Sequence, residues 1–127
     1  MMDVTPLVGA GKQIIQSYAH AQFRVSGTKY QGAIIVLPDQ CLPWSFSKDM
    51  AELALDDFKS LTQRKNEIDV ILLGCGKNMK FLPMPLRTKL KAAGLNVDIM
   101  DTGAACRTYN VLMAEGRRVA AMLLPHT

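Results

Sequence analysis

Residues Met100–Asn110 read MDTGAACRTYN, and how the Asp101-Thr102-Gly103 core is read decides the fold. Asp-Thr-Gly-Ala also carries the aspartate of half-size aspartic proteases, in which two chains each lend one carboxylate and the pair shares a proton. In such a fold the string comes early, and most of the β-sheet, with a glycine-rich flap, follows it. Here only 24 residues follow Gly103, and the first dozen have helical periodicity opened by Ala104 and Ala105. The string therefore reads as a helix start. Asp101 or Thr102 caps the free N–H groups, Gly103 permits the sharp turn, and the alanines let helix and sheet approach closely.

Working outward, Ala105, Tyr109, Leu112 and Met113 share a helix face, Gly116 ends it, and RRVAAMLLP is a final strand. Arg117 and Arg118 sit at the negative end of the helix dipole. Upstream, LNVDIM is a strand preceded by a helix that Pro85 opens and Gly94 closes, with Leu86, Leu90 and Ala93 inward. IDVILLG is a buried strand, and GCGKNMKFLP a glycine-containing turn. A further helix starts near Ser47 as cap, with Met50, Leu53, Ala54, Phe58 and Leu61 on one stripe and Asp49, Glu52 and Asp56 off it. PDQCLPW reads as a loop held open by Pro38 and Pro43, with Trp44 and Phe46 as a lid on the core.

The N-terminal part is β-like: IIQSY, QFRV, a Ser26-Gly27 turn, and GAIIVLP, whose apolar run 33–37 suits a strand covered on both faces. Residues 1–12 read as a flexible arm and 13–127 as a single domain. A β-rich section followed by βαβαβαβ predicts an α/β fold, with helices on a largely parallel or mixed central sheet.

The chain has 127 residues, 49% of them hydrophobic and 20% charged, enough to bury a core without staples. Aromatics are 6%, so the core is aliphatic. The net charge of +4 is spread without a run of like charges or interleaved aromatics, which argues against nucleic acid as a partner. Three cysteines with no CxxC pair give neither a disulfide framework nor a zinc ribbon and fit a reducing compartment. The N-terminus lacks the features of a secretory signal, and no apolar run is long enough to span a bilayer as a helix.

Ligands of open α/β sheets bind beyond the carboxyl ends of parallel strands. Gly74, Gly76 and Lys77 could offer N–H groups and a cation to an anion there, although the spacing is not that of a Walker loop. The three cysteines each follow a strand and could converge at one sheet edge. Cys106, beside Arg107 in the first turn of a helix, has surroundings that can lower a thiol pKa. Its bland alternative is a small buried hydrophobe next to Tyr109 and Met113. Leu112 stands where a phosphatase of the cysteine type needs arginine, and neither His20 nor His126 is placed to serve a thiol. No catalytic residue, metal or cofactor is assigned.

Taken together, YQGAIIVLP, Trp44, DVILLGCG, and the block from FLPMPLRTKLKAAGLNVDIMDTGAACRTYN to EGRRVAAMLLP resemble a family of small proteins that includes the mitochondrial respiratory complex I assembly factor 3. The resemblance spans residues 14–125 and implies a three-layer α/β domain with a central mixed sheet and extra N-terminal β-strands. It implies no catalytic residues to carry over. The mitochondrial relative acts through partners in complex I assembly, and some bacterial relatives are encoded near the protein-export machinery.

The expectation is a non-enzymatic accessory or assembly protein, cytoplasmic or at the inner face of the inner membrane. Its partners would be other proteins, such as respiratory or export subunits, and a homo-oligomer stays open. The competing expectation is a small-ligand or thiol enzyme using a rim of Gly74, Gly76, Lys77, Asp101, Thr102, Cys106 and Arg107. A deep pocket at that rim favours the second; a shallow rim with an apolar patch elsewhere favours the first.

Overall fold

A computed structural model describes residues 2–3, 12–46 and 50–126. Ser47 and Asp49 lie outside them, as does most of the segment read as an arm. Among the described residues, nine strands form two sheets. Met2–Asp3 (β1), Ile15–Ala19 (β2), Gln22–Val25 (β3) and Thr28–Gln31 (β4) make an antiparallel sheet in sequence order. The second sheet contains Ile34–Val36 (β5), Cys41–Pro43 (β6), Val70–Gly74 (β7), Val97–Met100 (β8) and Val119–Leu123 (β9), in the order β6-β5-β9-β7-β8. β7 runs parallel to β8 and β9, and β5 antiparallel to β6 and β9. The central sheet is therefore mixed, within the α/β class that the alternating elements predict.

Side-chain alternation along the buried strands sets the layers. Ile35, Ile71, Leu73, Ala120 and Met122 face one core, which Phe58, Leu61, Leu86 and Leu90 complete. Ile34, Val70, Leu72, Val119 and Ala121 face the other, with Ala105, Tyr109 and Met113. Helix α2 (Met84–Ala92) thus covers one face and α3 (Thr102–Ala114) the other. Ile15, Tyr18, Phe23 and Val25 bring the antiparallel sheet against the α3 side. Both helices end as the glycines predict. Gly94 and Gly116 have φ of 82° and 81°. The amides of Leu95 and Arg117 reach back to the Leu90 and Leu112 carbonyls.

Two local expectations are corrected. The helix expected from Ser47 through Leu61 is broken: Met50–Glu52 and Leu55–Phe58 are 3-10 turns, and only Lys59–Thr62 (α1) is α-helical. Ala54 is extended, with φ −130° and ψ 166°, and its N–H donates to Asp57 Oδ2 at 2.9 Å. That carboxylate competes for a backbone donor and restarts the chain as a new turn, leaving Ala54 exposed rather than on the stripe. The stretch read as the PDQCLPW loop holds β6, reached through a turn in which the Leu37 amide donates to the Gln40 carbonyl at 2.7 Å. At a sheet edge Pro43, lacking an N–H, is tolerated. Trp44 and Phe46 are buried and stacked at 5.1 Å, as the lid reading expects.

Candidate functional site

The fold brings the loops after β7, β8 and β9 together at the strand ends, and Thr102 ties them. Its amide donates to the Gly76 carbonyl at 2.8 Å; its Oγ1 accepts from the Gly76 amide at 2.8 Å and donates to the Leu124 carbonyl at 2.7 Å. The Leu124 amide donates to the Gly74 carbonyl at 2.9 Å. A Cβ on Gly74 would sit 3.0 Å from Leu123 Cδ2 and from Thr102. Thr102 is fully buried. The Gly76 amide and the Thr102 hydroxyl, two of the groups expected to meet a ligand, are thus engaged within the chain.

Asp101 is the cap of α3, its Oδ1 accepting from the Ala104 amide at 3.0 Å. Gly103 serves close approach rather than a turn: a Cβ there would stand 2.6 Å from Tyr18 Oη. Arg107 donates to that same oxygen at 3.0 Å, and the Tyr18 ring lies 5.1 Å from that of His126. Lys77 is exposed on the loop after β7.

The cysteines do not converge. Cys75 belongs to the α2-side core, whereas Cys106 and Cys41 belong to or pack against the α3-side core. Burial pushes the Cys106 thiol up to about 12, outweighing the nearby Arg107 guanidinium, and pushes Cys41 up to about 11. Cys75 donates to the Asn78 carbonyl and accepts from the Lys80 amide, shaping the loop. Native protein at about pH 8 should leave Cys106 unreacted with an aromatic disulfide reagent, and unfolding should release all three thiols. Because the unfolded thiols ionise near ~8.5, the unfolded chain loses its protons first. The stability linked to Cys41 and Cys106 is therefore complete below that pH and declines as pH rises through the folded values. Urea midpoints should fall between about pH 8 and about pH 10.

A different surface is open. Beside β8, the end strand of the central sheet, a groove of about 890 Å³ is lined by Met79, Phe81, Met84 and Leu90 together with Val97 and Ile99. Phe81 is 78% exposed, Met84 65% and Met79 46%. Isolated exposed apolar residues are ordinary, but here three cluster along one cleft. Sequence reasoning missed this site because its lining comes from a loop, a helix and a strand. The available signal was KFLPM, where Phe81 and Met84 fall outside the inward stripe of Leu86 and Leu90. Among the described residues no helix is long and apolar enough to cross a membrane, and no group of three or more His, Cys, Asp or Glu could hold a metal ion.

An uncharacterised protein of Rhodobacter capsulatus is 34% identical over 116 residues, which cover 91% of this chain and 87% of that protein. NADH dehydrogenase (ubiquinone) 1 alpha subcomplex assembly factor 3 of Danio rerio is 30% identical over 112 residues. That match covers 88% of this chain and 64% of the fish protein, so the chain spans less than two thirds of this relative's length. The crystal structure of an outer membrane protein from Bartonella henselae superposes with a TM-score of 0.82 at 32% identity, covering 92% of this chain and 98% of that one. The family model described as "Protein of unknown function (DUF498/DUF598)" matches residues 15–124. That span runs from the first residue of β2 to one residue past β9, taking in the whole central sheet and both long helices, and the chain belongs to the DUF498/DUF598 family.

Proposed function

We infer that this chain is a non-enzymatic accessory protein in the assembly of a membrane or respiratory complex of the complex I kind, acting through contacts with other proteins. The observation that carries the reading is the open groove beside β8, whose exposed Met79, Phe81 and Met84 contrast with the hydrogen-bonded Gly76, Thr102 and Leu124 at the strand ends. Exposed apolar side chains clustered along a groove are the arrangement expected of a protein-binding module. The family relatives named as complex I assembly factors support the same role. On this reading the protein works in the cytoplasm or at the inner face of the inner membrane, with respiratory or export subunits as its partners.

Deleting the gene in its native cells tests the role. Native electrophoresis of the membranes should show loss of a mature respiratory or membrane complex, or accumulation of a sub-complex. A full complement of mature complexes would sink the proposal.

A further inference from the structure

β8 ends the central sheet with its outer edge unpaired by any described strand. The carbonyls of Asn96 and Met100 accept from the amides of Ile71 and Cys75, at 2.8 and 2.9 Å. Alternation along a strand then turns the N–H and C=O groups of Val97 and Ile99 outward, away from β7. The side chains of the same two residues pack on the α2-side core and line the groove. Backbone donors and acceptors therefore run along one border of an apolar cleft.

The segment that lines this cleft is basic. Between residues 75 and 100 stand five of the chain's 15 basic residues and only one of its 11 acidic residues, Asp98. This segment alone carries the net charge of +4, and the rest of the chain is balanced. Arg87, Lys91 and Asp98 belong to the groove lining itself, two cations against one carboxylate.

We propose that the groove binds an extended segment of a partner protein, which adds a strand to the edge of β8, seats alternate apolar side chains against Val97, Ile99 and Phe81, and carries acidic residues at its ends. The proposal rests on the protein-binding reading above and names its site and the chemistry of its partner. Strand addition draws affinity from main-chain hydrogen bonds and specificity from alternate side-chain pockets. A second copy of the chain is a poor occupant, because it would set two segments of the same net charge against each other. A lipid surface is poorer still, because hydrocarbon offers no partner to the outward N–H and C=O groups of Val97 and Ile99.

The test titrates the isotope-labelled full chain with a short peptide of alternating Val and Thr closed by Glu at both ends. The amide resonances of Val97 and Ile99 should shift and their hydrogen exchange should slow. The same peptide closed by Lys should bind about tenfold more weakly, and one with a central Pro should lose the protection. Phe81→Glu, a change at an exposed position that leaves the core intact, should weaken binding of the Glu-closed peptide. Four results would overturn the proposal: no shift at β8, equal binding of the Lys-closed peptide, a homodimer paired through β8, or engagement of these residues by phosphatidylglycerol vesicles but not by peptide. Failure here with a defective deletion strain removes the groove and keeps the accessory role. A normal deletion strain removes that role whatever the peptide does.

Discussion

Replacing Asn110 with alanine is expected to lower the unfolding free energy by about 3 kcal/mol, from two buried backbone groups left without partners. Asn110 Oδ1 accepts from the Ile15 amide at 3.0 Å, and Nδ2 donates to the Ile15 carbonyl at 2.7 Å. The side chain acts as a strand edge for one residue, at the point where the β2–β3 register shifts between Ile15 and Ser17. It therefore fastens the antiparallel sheet to α3 in the middle of the second core. Asn110→Asp separates hydrogen bonding from volume. Its carboxylate can still accept from the Ile15 amide, but only the protonated acid can donate to the Ile15 carbonyl. Burial should raise that acid's pKa, so the folded variant should bind a proton more tightly than the unfolded chain, and its deficit should shrink as pH falls. Urea unfolding of wild type and both variants at two pH values checks this. A deficit of the aspartate variant that does not change with pH would refute the pairing argument.

Thr102→Val is the second large effect, expected to cost about 2–4 kcal/mol because the Gly76 amide and the Leu124 carbonyl both lose the hydroxyl. Valine keeps the shape, so little of the loss comes from packing. Thr102→Ser keeps the hydroxyl and should stay within about 1 kcal/mol of wild type, the cost of one buried methyl group. The two variants differ in where the damage appears. Hydrogen exchange in the valine variant should quicken at Gly76 and Leu124, the amides joined through Thr102 and the Gly74 carbonyl. Equal stability of the valine and serine proteins would mean that the hydroxyl does not tie the three loops.

The stretch from Met100 to Asn110 was legible because its signals are local. An aspartate, small residues and a run of period 3.6 specify a capped helix wherever the chain goes next. Val70–Gly74 and Val119–Leu123 were legible as continuous apolar runs, and Gly94 and Gly116 as left-handed helix ends. What stayed hidden depends on distant partners. Gly103 is explained by Tyr18, which no local pattern connects to it. β6 exists because β5 offers an edge, which lets Pro43 stand in a strand. The break at Ala54 turns on one carboxylate, that of Asp57, competing with helical bonding. For the site, no local pattern reveals that Thr102 bonds to Gly76 and Leu124, or that Leu124 bonds to Gly74. For Cys106 the sequence left two readings, a thiol activated by Arg107 or a small buried hydrophobe, and the fold buries it completely. The groove was missed because it forms between α2 and the strand that follows it, and its most exposed large apolar residue, Phe81, lies in neither.

Complementation of the deletion strain with Phe81→Glu is the most direct measurement. This change places a negative charge on the apolar groove without touching either core. Native electrophoresis should show wild-type protein restoring the mature complexes, and the Phe81→Glu protein, expressed and folded to the same level, failing to do so. Full restoration by the glutamate variant would contradict the claim that this protein works through the groove beside β8.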